Sequence, residues 1–282
     1  KAAEWLLDND YHVSRALRQI AKDLPSGFFA RLPTLADHRG VGPRVFGLAY
    51  ELLRISRLQV SLTNAERFVG GYQQYQPLTI AELWAFPTML RIACIEILAV
   101  ALDTQLVDSP GIGFSVSDCA QDEHSLDPTE RVARSIANLA EVAGIPWDEF
   151  FERASVVEAI LQTDPSAAYR AMDFATRDRY RIAVEEIARW SDAEEIAVAR
   201  EAVGSAAACG SEEVGHHVGY WLIDQGRGAL EAQFAARPPP KRRARRLLLA
   251  KPGLVFAGLM LVSGLAFAAV PVIYLSSIAA TW

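Results

Sequence analysis

From Leu254 to Ala280 the sequence holds no Asp, Glu, Lys, Arg, His, Asn or Gln. As a helix at about 1.5 Å per residue this run reaches roughly 40 Å, enough to cross a hydrocarbon core of about 30 Å even when tilted. It is too long and lies too late in the chain for a signal peptide, and its Pro271 is tolerable in a membrane helix. A membrane span is the expectation. Acidic residues are also missing beyond position 240: all 34 precede it, together with 22 of the 28 Lys and Arg, so residues 1–240 carry −12. That balance, with no basic face visible, disfavours DNA or RNA as a partner. Cysteine is scarce. Cys94, Cys119 and Cys209 have no metal spacing, which fits unpaired thiols in a reduced compartment. A run of alternating apolar and polar residues is absent as well, so no strand is expected.

What stands before the apolar run is basic. Lys241, Arg242, Arg243, Arg245, Arg246 and Lys251 flank it, after the stiff spacer Pro238-Pro239-Pro240. By the positive-inside rule this side is cytoplasmic, and the same cations suit the bilayer surface and its anionic lipids. The chain begins at Lys1 without an initiator Met and ends two residues past the run, so it reads as a piece of something longer.

The rest reads as helix. Ala2–Asp23 has Leu6, Val13, Leu17 and Ile20 along one side. Pro43 opens a helix to Ser56, and Thr63 with Glu66 signals a capping box for a helix to Gln76. Thr79 with Glu82 repeats the signal for a long apolar helix to about Leu106, bent at Pro87. Asp127-Pro128-Thr129-Glu130 starts another helix to Ala143, and Pro146 begins the next, with Phe150, Val157 and Leu161. Phe174–Trp190 puts Tyr180, Ala183, Val184 and Ile187 inward, with Asp178, Arg181, Glu185 and Arg189 outward as three- and four-spaced pairs. Ser191 and Glu194 cap a helix to Ala208. The fold class expected is all-α: a multi-helix cytoplasmic region followed by one transmembrane helix. Its divisions are helical domains at 1–107 and 127–236, a linker at 108–126, a juxtamembrane segment at 237–252 and the span at 253–280.

The catalytic candidates are weak. Asp8-Asn9-Asp10 spells a metal–diphosphate motif but follows Trp5-Leu6-Leu7 in a helix, without a strand to present it. Glu186-Ile187-Ala188-Arg189-Trp190 resembles an acceptor-binding motif with the wrong first residue, and Gly111-Ile112-Gly113 is too short to cradle phosphate. His216 and His217 are adjacent and so point apart on a helix, as do Glu185 with Glu186 and Glu194 with Glu195. No Ser/His/Asp set is recognisable, because such a set is spatial.

Several phrases carry a family likeness. They are Glu4-Trp5-Leu6-Leu7-Asp8-Asn9, Gly42-Pro43-Arg44-Val45-Phe46 and Gln76-Pro77-Leu78-Thr79-Ile80-Ala81-Glu82-Leu83-Trp84. The most specific is Met172-Asp173-Phe174-Ala175-Thr176-Arg177-Asp178-Arg179-Tyr180-Arg181, followed by His217-Val218-Gly219-Tyr220-Trp221-Leu222-Ile223. In this order, ahead of a span, they resemble the N-terminal region of cyclic β-1,2-glucan synthases, large bacterial inner-membrane proteins. The resemblance implies a parent that polymerises glucose from UDP-glucose, with a divalent metal, and closes the product into a ring. Its glycosyltransferase module and further spans would lie later in the chain, leaving a non-catalytic regulatory or scaffolding and anchoring part here. Arg44, Glu82, Trp84, Asp173, Arg177 and Asp178 are then read in two ways: as ion pairs and aromatics joining helices, or as a docking surface for the catalytic module. A membrane-tethered helical adaptor with no enzymatic module is the alternative function.

Overall fold

The computed structural model describes residues 2–24, 27–37, 40–103, 126–211, 213–242, 248 and 252–279. The linker at 108–126 and Gly111-Ile112-Gly113 therefore fall outside the described residues, save for Leu126, and so do Arg243, Arg245, Arg246 and Lys251.

Helices dominate, and side-chain caps start several of them. The N-terminal stretch is two helices, α1 (Ala2–Asp8) and α2 (Asp10–Asp23), where one was expected. Asn9 breaks the run by donating its side-chain amide to the Trp5 carbonyl at 2.9 Å, and the backbone turns there. Strands were not expected, yet Thr34–Asp37 (β1) and Gly40–Pro43 (β2) pair as an antiparallel hairpin. The two strands have four residues each, too few to show an alternation. Pro43 caps α3 (Arg44–Ile55) from outside instead of opening it.

For α4 (Leu62–Gln73) the expected Thr63–Glu66 box is replaced by Ser61, whose hydroxyl accepts the Asn64 N–H at 3.2 Å. The Thr79–Glu82 box holds: Thr79 N–H reaches the Glu82 carboxylate at 2.9 Å and Glu82 N–H reaches Thr79 Oγ1 at 3.2 Å. It starts α5 (Ile80–Asp103), which runs through Pro87. Asp127 accepts the Thr129 N–H at 3.1 Å to start α6 (Pro128–Gly144).

The helix expected from Pro146 is also two, α7 (Trp147–Ala154) and α8 (Val156–Leu161), with Ser155 ending one and capping the other. α9 (Phe174–Ser191) is capped by Asp173, which accepts the Thr176 N–H at 2.6 Å. Asp192, in left-handed backbone, ends it. Ser191 does not cap α10 (Glu195–Ala208); its hydroxyl bonds back to the Ile187 carbonyl, and Glu194 makes no side-chain cap. The short helices α11 (Val218–Leu222) and α12 (Arg227–Gln233) follow.

α5 is the centre. It packs against α3 and α6, and its Phe86, Met89, Leu90 and Cys94 are fully buried. One hydrophobic core runs from Ala16 on α2 to Leu230 on α12, so residues on both sides of the linker share it. Two long-range polar bonds reinforce that join: Val60 N–H to Asn138 at 3.0 Å, and Gln73 to the Ala154 carbonyl at 2.8 Å.

Ile80–Leu102 is apolar and long enough to cross a membrane, but 61% of its apolar window is buried within the protein, which marks a core helix. The helix Pro252–Ala279 differs. It runs unbroken for 28 residues through Pro271, and its side chains from Phe256 to Pro271 are exposed.

Candidate functional site

The charged residues embedded among aromatics are mostly internal struts. Arg44, at the start of α3, grips Glu82 of α5 with two hydrogen bonds, Nε at 2.8 Å and Nη2 at 2.6 Å. Both side chains are buried, at 7% and 0% exposed. The same Glu82 carboxylate completes the cap of α5. Two carboxylates in fact serve that helix start, because Glu195 of α10 accepts the Ile80 N–H at 2.7 Å. Negative charge at a helix N-terminus is favoured by the backbone dipoles. Burial nevertheless pushes the Glu195 carboxyl up to about 7; the Ile80 N–H opposes the rise and the nearby Glu185 and Glu82 add to it.

These groups border a cleft of about 640 Å³ between the start of α5 and the α9–α10 corner, with Arg31, Arg44, Glu185, Arg189, Glu194 and Glu195 among its walls. It is lined by charges of both signs. Its Thr79 hydroxyl does meet a carboxylate, Glu82 at 3.2 Å, but within the cap that starts α5.

A second cluster lies under α9. Glu158 of α8 is fully buried and accepts four hydrogen bonds: Tyr169 Oη at 2.7 Å, Arg181 Nη1 at 3.0 Å, Arg177 Nη1 at 3.0 Å and Gln162 Nε2 at 3.2 Å. Arg181 was expected on the outer face. It is instead 0% exposed, with its guanidinium carbon 4.4 Å from the Phe174 ring centre and 4.8 Å from that of Phe151. Two aromatic faces and a carboxylate replace its water, which is how a buried guanidinium is tolerated. Arg177 also meets Glu152 at 2.6 Å, outside hydrogen-bond geometry. Burial, then the Glu158 charge, pushes the Tyr169 hydroxyl far above its usual range.

The other docking candidates divide. Trp84 is 38% exposed and stacks on Phe151 with ring centres 4.8 Å apart. Asp178 makes a 3.4 Å contact with Arg181, and Asp173 is an exposed cap. Trp84 and Arg181 thus gather around Phe151 and Phe174, with Asp178 on Arg181 and Arg177 on Glu158, whereas Arg44, bonded to Glu82, sits apart at the cleft.

Sequence reasoning missed a third cluster. Asp164, Ser166 and His217 meet: His217 Nδ1 is 2.9 Å from Asp164 Oδ2 and 3.1 Å from Ser166 Oγ. A hydrolytic triad needs serine and carboxylate on opposite imidazole nitrogens. Here both share Nδ1, while Nε2 faces Tyr180 Oη at 3.3 Å. Asp164 also accepts the Val218 N–H at 2.9 Å, so the set ties the 164–169 turn to α11. Burial favours the neutral Asp164 carboxyl, but bonds from Ser166, Val218 and His217 outweigh it and hold the group below its usual range. His216 points elsewhere, to the Cys209 carbonyl at 3.1 Å, as adjacency requires. No signal short of the fold could have joined residues 53 apart.

The Glu186–Trp190 stretch is structural too. Glu186, 6% exposed, accepts Arg227 at 2.9 Å and also Arg242, and both guanidinium groups lie over the Trp190 ring. Lys241 beside them is exposed. Asp8 and Asp10 are exposed on either side of the Asn9 break. No group of three His, Cys, Asp or Glu that could hold a metal occurs among the described residues.

The class defined by these features is an all-helical region whose buried charges join helices, ahead of a long apolar helix. No family model matches the chain. It is similar to the cyclic beta-(1,2)-glucan synthase NdvB of Rhizobium meliloti (strain 1021), 26% identical over an alignment of 309 residues that takes in 84% of this chain. The chain spans 11% of that protein's length.

Proposed function

We propose that the chain is a non-catalytic regulatory or scaffolding and anchoring part of a cyclic β-1,2-glucan synthase, placed toward its N-terminus. The observation that carries this reading is the alignment: most of this chain matches a small part of a very long glucan synthase. The struts agree with it, since Arg44–Glu82 and Arg181–Glu158 consume in packing the charges that a sugar-nucleotide site would need exposed. UDP-glucose and a divalent metal belong, on this reading, to the parent's glycosyltransferase module.

Pro252–Ala279 is the membrane span of this reading, in a bacterial inner membrane. The basic residues ahead of it hold residues 1–252 on the cytoplasmic side against anionic lipids, where UDP-glucose is available. Trp84 and the exposed edges of Asp173 and Asp178 form the docking surface for the catalytic module. The test is to read the gene past Trp282 and assay membranes carrying its product with labelled UDP-glucose. A glycosyltransferase module and a cyclic glucan product are expected. A product that ends soon after the apolar helix and makes no glucan overturns the reading in favour of a tethered adaptor.

A further inference from the structure

We propose that the recess between α2, α5 and α6 binds a small oxyanion, phosphate or carboxylate, between the guanidinium groups of Arg91 and Arg15. The recess measures about 220 Å³ and is walled by His12, Arg15, Gln19 and Arg91, with Leu139 and Ala143 closing the side of α6. Arg91 comes from the middle of the core helix, and its side chain is only 10% exposed. A cation so buried requires a good anionic partner.

The partner present is poor. Asp23 reaches Arg91 Nη1 only at 3.5 Å, and that carboxylate is already engaged by Gln19 at 2.7 Å and Thr88 at 3.3 Å. Arg15 has no ion pair among the described residues. The Arg91 guanidinium thus lies near a second cation with one distant carboxylate to offset it. Burial disfavours the Arg91 charge, Asp23 supports it and Arg15 opposes it, so Arg91 sits below its usual range. A second anion between them relieves that repulsion, and guanidinium forks match the oxygens of phosphate or carboxylate. His12 adds an N–H donor in any protonation state. The volume falls below the roughly 300–1,000 Å³ of ordinary ligand pockets, which excludes a whole sugar nucleotide. The inference is independent of the glucan reading.

The experiment is calorimetry and thermal melting of the whole chain in detergent, titrated with inorganic phosphate and, separately, acetate against chloride at equal ionic strength. Saturable binding of either oxyanion is expected. At ten times Kd it favours the folded state about 11-fold, seen as a raised Tm. Arg15→Gln, at an exposed position with no ion pair among the described residues, should melt no lower than the wild type without phosphate yet bind it at least about tenfold more weakly. Arg91→Lys should weaken binding in the same way, because an ammonium cannot fork. Arg15-dependent binding that needs phosphatidic acid in the micelles assigns the same phosphate chemistry to a lipid headgroup. Equal binding by wild type and Arg15→Gln, or a Tm rise that chloride reproduces, overturns the proposal.

Discussion

Arg181 and Glu158 meet at 3.0 Å with both side chains fully buried, a charge pair inside the helical core. Its two members differ in how they can be replaced. Removing Arg181 leaves Glu158 with Arg177 as its cation, whereas removing Glu158 leaves the buried Arg181 with only a 3.4 Å contact to Asp178; breaking a buried pair costs about 3–5 kcal/mol. Arg181→Ala should therefore lower the urea midpoint severely, and Glu158→Gln at least as much, because Arg177 then keeps only Glu152. The double variant Arg181→Met with Glu158→Gln should recover part of the loss. If each single change shifts stability by less than about 1 kcal/mol, the pair is solvated in solution and the geometry described is wrong.

Arg177 is the sharper case, since it was read as a docking residue as well as a strut. At 14% exposed and bound to both Glu152 and Glu158, it should cost about 1–3 kcal/mol on truncation to Ala. Chemical denaturation of the whole chain checks this. An unchanged midpoint, with glucan synthesis lost in the full-length parent, would return Arg177 to the docking surface.

The struts show how far a sequence reading reaches. The Thr79–Glu82 box was legible because its partners lie three residues apart and obey a local rule. That Glu82 also holds Arg44, 38 residues away, was not. Arg181 misled for a related reason: spaced three from Asp178 and four from Glu185, it looked like a member of a solvated charge ladder. Its burial comes from Phe151 and Glu158, on helices whose approach no spacing reveals. The phrase Met172–Arg181 was nonetheless singled out by its density of aromatic and charged residues, and that density is what a sandwiched guanidinium needs. The hairpin and the Asp164–His217 contact left no comparable trace, being respectively too short and too distant in sequence.

Glu195 gives the chain a pH dependence. Its folded value is raised to about 7 from an ordinary 4.5, so the folded state binds the extra proton between those values. The stability it contributes is fully present below about pH 4.5 and is lost as the pH rises to about 7, by at most about 3 kcal/mol. Glu195→Gln should flatten that decline when urea midpoints are compared at both ends of the window. A wild-type midpoint that rises across the window, with the variant tracking it, would show Glu195 to be charged and at ease.

The junction at Trp190 should hold the start of the basic segment against the helical body. Arg227 and Arg242 lie 5.5 and 5.7 Å from the Trp190 ring centre, and the Arg237 N–H reaches the Trp190 carbonyl at 2.8 Å. Trp190→Ala removes both cation–π contacts while leaving Glu186. Hydrogen exchange at residues 236–242 should then quicken several-fold, with little change around α3 and α5. Uniform quickening across the chain would mean that Trp190 supports the whole fold instead of this joint.

If Pro252–Ala279 spans a membrane, the charge on one side of it should set its orientation. Lys241, Arg242, Arg243, Arg245, Arg246 and Lys251 all precede Pro252–Ala279, whose described side chains from Phe256 to Pro271 face outward. If the helix spans, a reporter fused after Ala236 should be active in the cytoplasm and one fused after Trp282 on the opposite side. Exchanging the six cations for Gln should leave insertion intact, because the apolar run drives it, but randomise which end stays inside. Both reporters active in the cytoplasm would remove the span, and a reversed pair would place the helical region, with its cleft and struts, away from UDP-glucose.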